Sequence, residues 1–181
     1  SILPLRTVVG QDEGPRRPVV RLATYNVHGG LEATPTAVAR FLRGLNLDLL
    51  SMQEVPSQEY LETIASVTGL EHFSMIDRFK AILSRTPLEG TRRIPLETGR
   101  SLIRATTLLG GVPVSVYGVH NSWDQAGDRE NRQIVNEILP VDSNPRKILL
   151  GDFNDEHYST QNVILERALN DAWTDLGVRP G

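Results

Sequence analysis

Lys147-Ile148-Leu149-Leu150-Gly151-Asp152-Phe153-Asn154-Asp155 is the stretch around which the chain is organised. Its continuous isoleucine and leucine run, cut off by a glycine and then polar groups, reads as a strand buried on both faces that carries its last residues to the edge of a core. There Asp152 and Asn154 stand one residue apart. Period-2 alternation sends both side chains the same way while Phe153 anchors the opposite face. An acid and an amide so placed can hold a divalent cation, position a water and donate a hydrogen bond to a phosphate oxygen. Asp-x-Asn alone is also how an ordinary strand stops at a polar turn, so the rest of the chain decides between these readings.

Three other apolar runs end in the same way. Val19 to Asn26 alternates as a strand and ends in Asn26-Val27-His28-Gly29-Gly30. Leu47 to Glu54 delivers Gln53-Glu54. Ser101 to Leu109 and Val112 to His120 form a hairpin around Gly110-Gly111, with Pro113 marking an edge or terminal position, and the second strand ends in His120-Asn121-Ser122-Trp123. Helices separate these strands. Thr34 caps one, with Pro35 in its first turn and Val38, Phe41, Leu42 and Leu45 at helical spacing. Pro56 and Ser57 open another, with Tyr60, Leu61, Ile64 and Val67 on one face and Gly69 as its stop. Asp128 is expected to cap a third through Leu139, with Ile134, Val135, Ile138 and Leu139 inward. A last helix is expected over roughly Ser159 to Leu169. Phe73 to Ile76 and Lys80 to Ser84 are weaker strands, and Thr86 to Gly99 reads as a loop by composition.

The 181 residues suit one well-buried domain, placed at 19–181 behind a proline-, glycine- and arginine-rich lead-in over 1–18. A net charge of -3 argues against a generically DNA-coating protein; Arg16-Arg17 and Arg92-Arg93 are the candidates for a local basic groove or are simply solvated. The absence of cysteine excludes disulfides, thiolate metal sites and cysteine nucleophiles. No apolar run approaches the length of a membrane span and no signal peptide is visible. The chain starts at Ser1, consistent with a processed or trimmed protein, so cytoplasmic and secreted locations both stay open, as does oligomeric state.

Four strand ends therefore present Asn26 and His28, Glu54, His120 and Asn121, and Asp152 and Asn154. Ligands gather where strand ends converge in sheets flanked by helices. Hard oxygen donors, few in number and accompanied by amide and imidazole donors, suit Mg²⁺ or Mn²⁺ bound to a phosphate. Phosphoryl chemistry follows as the expectation.

Thr24-Tyr25-Asn26-Val27-His28-Gly29, Gln53-Glu54-Val55, Ala81-Ile82-Leu83-Ser84-Arg85-Thr86-Pro87-Leu88, Val119-His120 and Gly151-Asp152-Phe153-Asn154 resemble, in order and rough spacing, the motifs of the DNase I-like endonuclease/exonuclease/phosphatase superfamily. The resemblance runs from about Val19 to Trp173. It implies a four-layer α/β/β/α sandwich of two mixed sheets. It implies that Glu54 is the principal metal ligand, with Asn26 beside it, that Asp152 orients or deprotonates the attacking water, and that Asn154 and His120 hydrogen-bond phosphate oxygens. His28 stands where some relatives carry an acid and is either a phosphate contact or structural; Asn121 is a further phosphate-binding candidate. Arg129, Arg132 and Gln133 fall near a place where many relatives keep an arginine and a glutamine, and read first as helix N-terminal structure.

One family motif is not found. Relatives end in a strand carrying an Asp that orients a catalytic histidine, followed by a Ser-Asp-His segment. Neither His72 nor His157 lies in matching context. The expectation is a chain truncated before those C-terminal strands, from a Mg²⁺-dependent phosphodiesterase or endonuclease using metal-activated water. The alternative is a catalytically dead member that binds phosphate or a partner. Nucleic acid, phospholipid head groups and inositol phosphates are the substrate classes of relatives, and the sequence does not choose among them.

Overall fold

The computed structural model describes residues 19–77, 79–155 and 159–172. Two four-stranded mixed sheets form the centre. The first contains β1 (Leu22–Asn26), β2 (Leu49–Val55), β3 (His72–Asp77) and β4 (Phe79–Ser84) in the order β1-β2-β4-β3. The second contains β5 (Glu89–Pro95), β6 (Ser101–Leu109), β7 (Val112–His120) and β8 (Lys147–Asp152) in sequential order. β1 pairs with β2 and β7 with β8 in parallel; every other pairing is antiparallel.

The alternation of side chains explains the layering. Leu49 and Ile82 from the first sheet meet Ile103, Ala105, Val114 and Val116 from the second in one buried cluster, so these inner faces pack directly on each other. The intervening residues Leu50, Met52, Ala81 and Leu83 turn outward beneath α1 (Pro35–Gly44) and α2 (Gln58–Thr68). On the far side Leu102, Tyr117 and Val119 pack under Ile134, Ile138 and Leu139. Those three belong to α3 (Gln125–Gln133) and its continuation, a π turn over Ile134–Ile138 and a short α4 (Leu139–Val141). Pro140 has no N–H to donate, which interrupts the regular helical ladder there. α5 (Thr160–Leu165) lies beyond, where Ile164 and Leu165 pack with Val135. The result is the expected four-layer sandwich.

Local chemistry sets the boundaries. Thr34 accepts a bond from the Ala37 N–H and Ser57 from the Tyr60 N–H, as N-caps do. Gly69 ends α2 in the left-handed conformation at φ 74°. Gly110 and Gly111 both take positive φ, 58° and 82°, which matches the twist of a two-residue hairpin. Pro113 sits near the start of β7, before its pairing with β8 begins at Ser115.

Several expectations are corrected. Residues expected as a loop between Thr86 and Gly99 include β5, an edge strand with charge on both faces and therefore no hydrophobic period to betray it. The cap of α3 is Asp124, which accepts from the Ala126 N–H; Asp128 lies inside the first turn. β1 starts at Leu22 rather than Val19, and Phe41 is exposed, its ring tilted against Tyr25 at a centroid distance of 6.3 Å. β8 is half-buried throughout rather than buried on both faces, because among the described residues only β7 pairs with it. Its inner face, Ile148 and Leu150, meets the sheet–sheet core and its outer face carries Leu149. The helix expected over Ser159 to Leu169 spans Thr160–Leu165. The lead-in over 1–18 with Arg16-Arg17, together with His157 and Trp173, lies outside the described residues.

Candidate functional site

The two parallel pairs bring their C-terminal ends to one mouth. β1 and β2 end side by side with Asn26 opposite Gln53, and β7 and β8 end with His120 opposite Asp152. At the centre stands Asn26, whose Nδ2 donates to Glu54 Oε1 at 2.9 Å and to Asp152 Oδ2 at 2.9 Å. The two carboxylates, one from each sheet, thus lie within twice that distance of each other. His120 Nε2 is 3.7 Å from Glu54 Oε1. Asn26, Glu54, His120 and Asp152 are brought together as the sequence led us to expect.

Glu54 reaches this position through a β-bulge. The β2–β4 register slips between Gln53 and Val55, and Glu54 sits in the left-handed region at φ 55°. A bulge re-aims one side chain, here turning Glu54 into the mouth while Gln53 stays buried. The conformation is costly for a residue with a Cβ, and its location at a cluster of carboxylates is where such strain is usually found. Gly118 lets the sheets approach: a Cβ there would lie 3.1 Å from Ser51 Oγ and 3.4 Å from Ile82 Cγ1.

The cluster is electrostatically unbalanced. Among the described residues neither Glu54 nor Asp152 is ion-paired to a lysine or arginine. Burial holds the pKa of His120 below its ordinary value; Asp152 and Glu54 pull it up, and Arg100 and Lys80 push it further down. Among the described residues, no three His, Asp or Glu side chains gather closely enough to enclose a metal by themselves. The donors at the mouth are thus two carboxylates and an amide, a small set of hard oxygen ligands. Magnesium suits such a site because it takes one or two carboxylates and fills the rest of its sphere with water and phosphate oxygens. The two carboxylates converging on one neutral amide therefore fit a hard divalent cation.

Other expected residues fall elsewhere. His28 turns away from the cluster, its Nδ1 3.1 Å from Glu32 Oε1, with a side chain 61% exposed; its backbone N–H donates to Asn26 Oδ1 and so helps to aim Asn26. Asn154 does not continue the alternation of β8. It lies past the strand end at φ 51°, its N–H donates to Asp152 Oδ1, and its Nδ2 donates to the Asn121 carbonyl. Asn121 is fully buried behind the mouth, with Nδ2 donating to Asn131 Oδ1 at 2.7 Å. Arg129 and Arg132 are exposed, and Gln133 Oε1 accepts from the Glu97 N–H. His72 lies exposed, opposite Ser84 in the β3–β4 ladder. Trp123 is 83% exposed in the loop that follows His120.

Two polar groupings near the mouth were not anticipated. Lys80 and Asp77 form a nearly buried ion pair at 2.8 Å, with Ser101 donating to Asp77 and Arg93 Nε 3.7 Å from it. Arg100 donates to the carbonyl of His120 at 3.1 Å and to Ser122 Oγ at 2.9 Å. The sequence signal for the first is a lysine at a buried position of an otherwise apolar strand, Lys80-Ala81-Ile82-Leu83. Arg100, in a loop, carries no such signal.

Comparison with known proteins agrees with this geometry. A family model described as "Endonuclease/Exonuclease/phosphatase family" matches residues 23–180. No curated protein matches the chain. Among solved structures, sphingomyelinase C from Streptomyces griseocarneus is similar with a TM-score of 0.66 at 16% identity, over 83% of this chain and 70% of that one. TDP2 from D. rerio, complexed with single strand DNA product, gives 0.69 at 16% identity over 88% and 71%. A beta toxin mutant from Staphylococcus aureus with bound magnesium ions gives 0.67 at 13% identity over 83% and 70%. At these identities the likeness is one of fold.

Proposed function

Because the chain belongs to the endonuclease/exonuclease/phosphatase family, whose members hydrolyse phosphoester bonds, we propose that it is a Mg²⁺-dependent phosphodiesterase or endonuclease acting at the mouth formed by Asn26, Glu54, His120 and Asp152. The observation that carries this reading is the single amide of Asn26 shared by Glu54 and Asp152 across the two sheets. Glu54, with Asn26 and Asp152 beside it, would hold the cation, which supplies Lewis-acid stabilisation of the charge that builds on the phosphoryl oxygens. Mn²⁺ suits the same oxygen donors.

The chain's own groups have distinct tasks in this reading. Asp152 keeps Oδ1 on the Asn154 N–H and Oδ2 toward Asn26, which fixes the plane of its carboxylate for orienting and accepting a proton from the attacking water. His120, held toward its neutral form by burial, offers a ring N–H to a phosphate oxygen. Asn154 braces the turn under Asp152, and the same amide is within the family motif that contacts phosphate. Asn26 carries two bonds to carboxylates and orients both. The phosphoester substrate is a nucleic acid, a phospholipid head group or an inositol phosphate.

Hydrolysis of bis(4-nitrophenyl) phosphate by the full-length protein tests the reading. Turnover that requires Mg²⁺ or Mn²⁺, stops with chelator and falls at least a hundredfold in Asp152→Asn and Glu54→Gln supports it. Binding of Mg²⁺ without turnover on diesters, including DNA and sphingomyelin, would replace it with a phosphate- or partner-binding module.

A further inference from the structure

α3 presents an inner stripe at helical spacing, Gly127, Glu130, Asn131, Ile134 and Val135, all buried. Its apolar half packs as expected. The other half places a carboxylate, Glu130, at 0% exposure. Among the described residues no lysine, arginine or histidine pairs with it. Three neutral donors satisfy it instead: Thr98 Oγ1 at 2.6 Å and Ser122 Oγ at 2.9 Å on Oε1, and the Ser122 N–H at 2.8 Å on Oε2.

A buried carboxylate is expensive, and packing alone would be better served there by an apolar side chain of similar volume. Its bonds all converge on one short segment. Ser122 lies two residues after His120, and its Oγ also accepts from Arg100 Nε, whose other nitrogen holds the His120 carbonyl. From the opposite side the Asn121 N–H donates to the Asp152 carbonyl and Asn154 Nδ2 to the Asn121 carbonyl. The backbone from His120 to Ser122 is thus gripped by α3, by the β5–β6 loop and by the end of β8. Among the described residues the His120 ring makes no hydrogen bond, and its Nε2 lies 3.7 Å from Glu54 Oε1. The direction of the imidazole is therefore inherited from its backbone.

We propose that Glu130, acting through Ser122 and Arg100, is the positioning residue that aims His120 into the mouth. The proposal rests on the reading of His120 as a phosphate contact. It adds a residue outside the motifs that carry the family resemblance, and it gives a reason for a buried carboxylate on the inner face of α3.

Glu130→Gln tests it with little change of volume. The amide keeps one acceptor for Thr98 and Ser122 Oγ but turns an N–H₂ toward the Ser122 N–H, donor against donor. In the full-length protein with Mg²⁺ and an aryl phosphodiester, Glu130→Gln lowers kcat about tenfold or more and leaves KM within about twofold, as misaimed groups do. Combined with His120→Ala, Glu130→Gln adds less than about a twofold further loss, because its effect passes through the missing ring. An undiminished loss in the His120→Ala background, or an unchanged kcat in the single variant, overturns the proposal. Should Glu130→Gln fail to fold, Thr98→Val and Ser122→Ala each remove one donor and enter the same cycle. If the wild-type protein hydrolyses no diester, the functional reading fails separately. The His120 ring ¹H–¹³C resonances then decide: displacement in Glu130→Gln supports the positioning role, and unchanged resonances refute it.

Discussion

The carboxylates of Glu54 and Asp152, supplied by different sheets, accept hydrogen bonds from one nitrogen, Asn26 Nδ2, at 2.9 Å each. Like charges gathered on a neutral donor repel, and a divalent cation beside them relieves that repulsion. Mg²⁺ at about a hundred times its dissociation constant should therefore add roughly 2.7 kcal/mol of stability, about 5–10 °C in melting temperature for a chain of this size. Differential scanning fluorimetry of the wild type and Glu54→Gln with and without Mg²⁺ measures this. The shift should largely disappear in the variant.

Asn26→Ala removes the shared donor and leaves both carboxylates facing each other. Without metal it should cost about 1–3 kcal/mol, and added Mg²⁺ should recover part of the loss. Activity should fall at least a hundredfold even with metal, because the aim of both acids is lost. Urea denaturation with and without Mg²⁺, alongside a diester assay, separates the two effects.

Gly151 shows why the glycine of the Gly-Asp-Phe-Asn motif is obligatory. A Cβ there would fall 2.2 Å from the Val119 carbonyl oxygen and 2.6 Å from Val119 Cγ2, on the neighbouring strand. Backbone atoms cannot yield to it, so Gly151→Ala must push the end of β8 from β7 and carry Asp152 with it. We expect a destabilisation of about 3 kcal/mol or more. Any folded fraction should be inactive, which a melting curve and a diester assay on the same preparation would show.

The legibility of the chain in its sequence follows the strength of each physical signal. Helices α1 and α2 were plain because Thr34-Pro35 and Ser57 cap apolar stripes of full helical period. The hairpin at Gly110-Gly111 was plain because only a few residue pairs suit that turn. β5 was hidden because an exposed edge strand needs no apolar residues, and Arg92-Arg93 looked like loop. The convergence of Asn26, Glu54, His120 and Asp152 was legible because each lies at or next to the end of a strand. The bulge that aims Glu54 was not, since a slip of register leaves no mark in residue types. Alternation places Asn154 on the face of Asp152, but the strand ends before it and Asn154 turns into the left-handed region. Glu130 and Asn131 carry a weak signal, polar residues one turn ahead of Ile134 and Val135 on the same face.

Trp123 invites a test of substrate class. An indole 83% exposed, three residues from His120, contributes little to the core. Trp123→Ala should therefore change melting temperature by about 1 °C or less. If the physiological substrate extends beyond the scissile group, as nucleic acid or a lipid surface does, the variant should raise KM severalfold for that substrate and leave a small aryl diester unaffected. Parallel kinetics on single-stranded DNA, sphingomyelin vesicles and the aryl diester provide the measurement. Equal KM values for wild type and variant on all three would remove Trp123 from substrate binding.

Stability at high pH should report a different buried pair. Tyr117 donates its hydroxyl to Asp142 Oδ2 at 2.5 Å, and Arg104 bonds the same oxygen at 3.1 Å. Burial and the neighbouring carboxylate push the phenol up to about 12 from 10. Burial would raise the carboxyl of Asp142, but the bonds from Tyr117, the Asn144 N–H and Arg104 hold it well below the usual range. A phenol whose pKa is higher in the folded state binds its proton more tightly there. Its contribution is complete below pH 10 and is lost as pH rises from 10 to 12, by roughly 3 kcal/mol for a shift of that size. The depressed carboxyl works in the opposite sense, contributing above about pH 4 and losing its contribution as pH falls. Tyr117→Phe removes the phenol, so it should lower stability at neutral pH by about 1–3 kcal/mol and should fall less between pH 10 and 12 than the wild type. Melting curves of both proteins across that interval decide the matter: parallel declines would mean that the Tyr117–Asp142 bond does not govern alkaline stability.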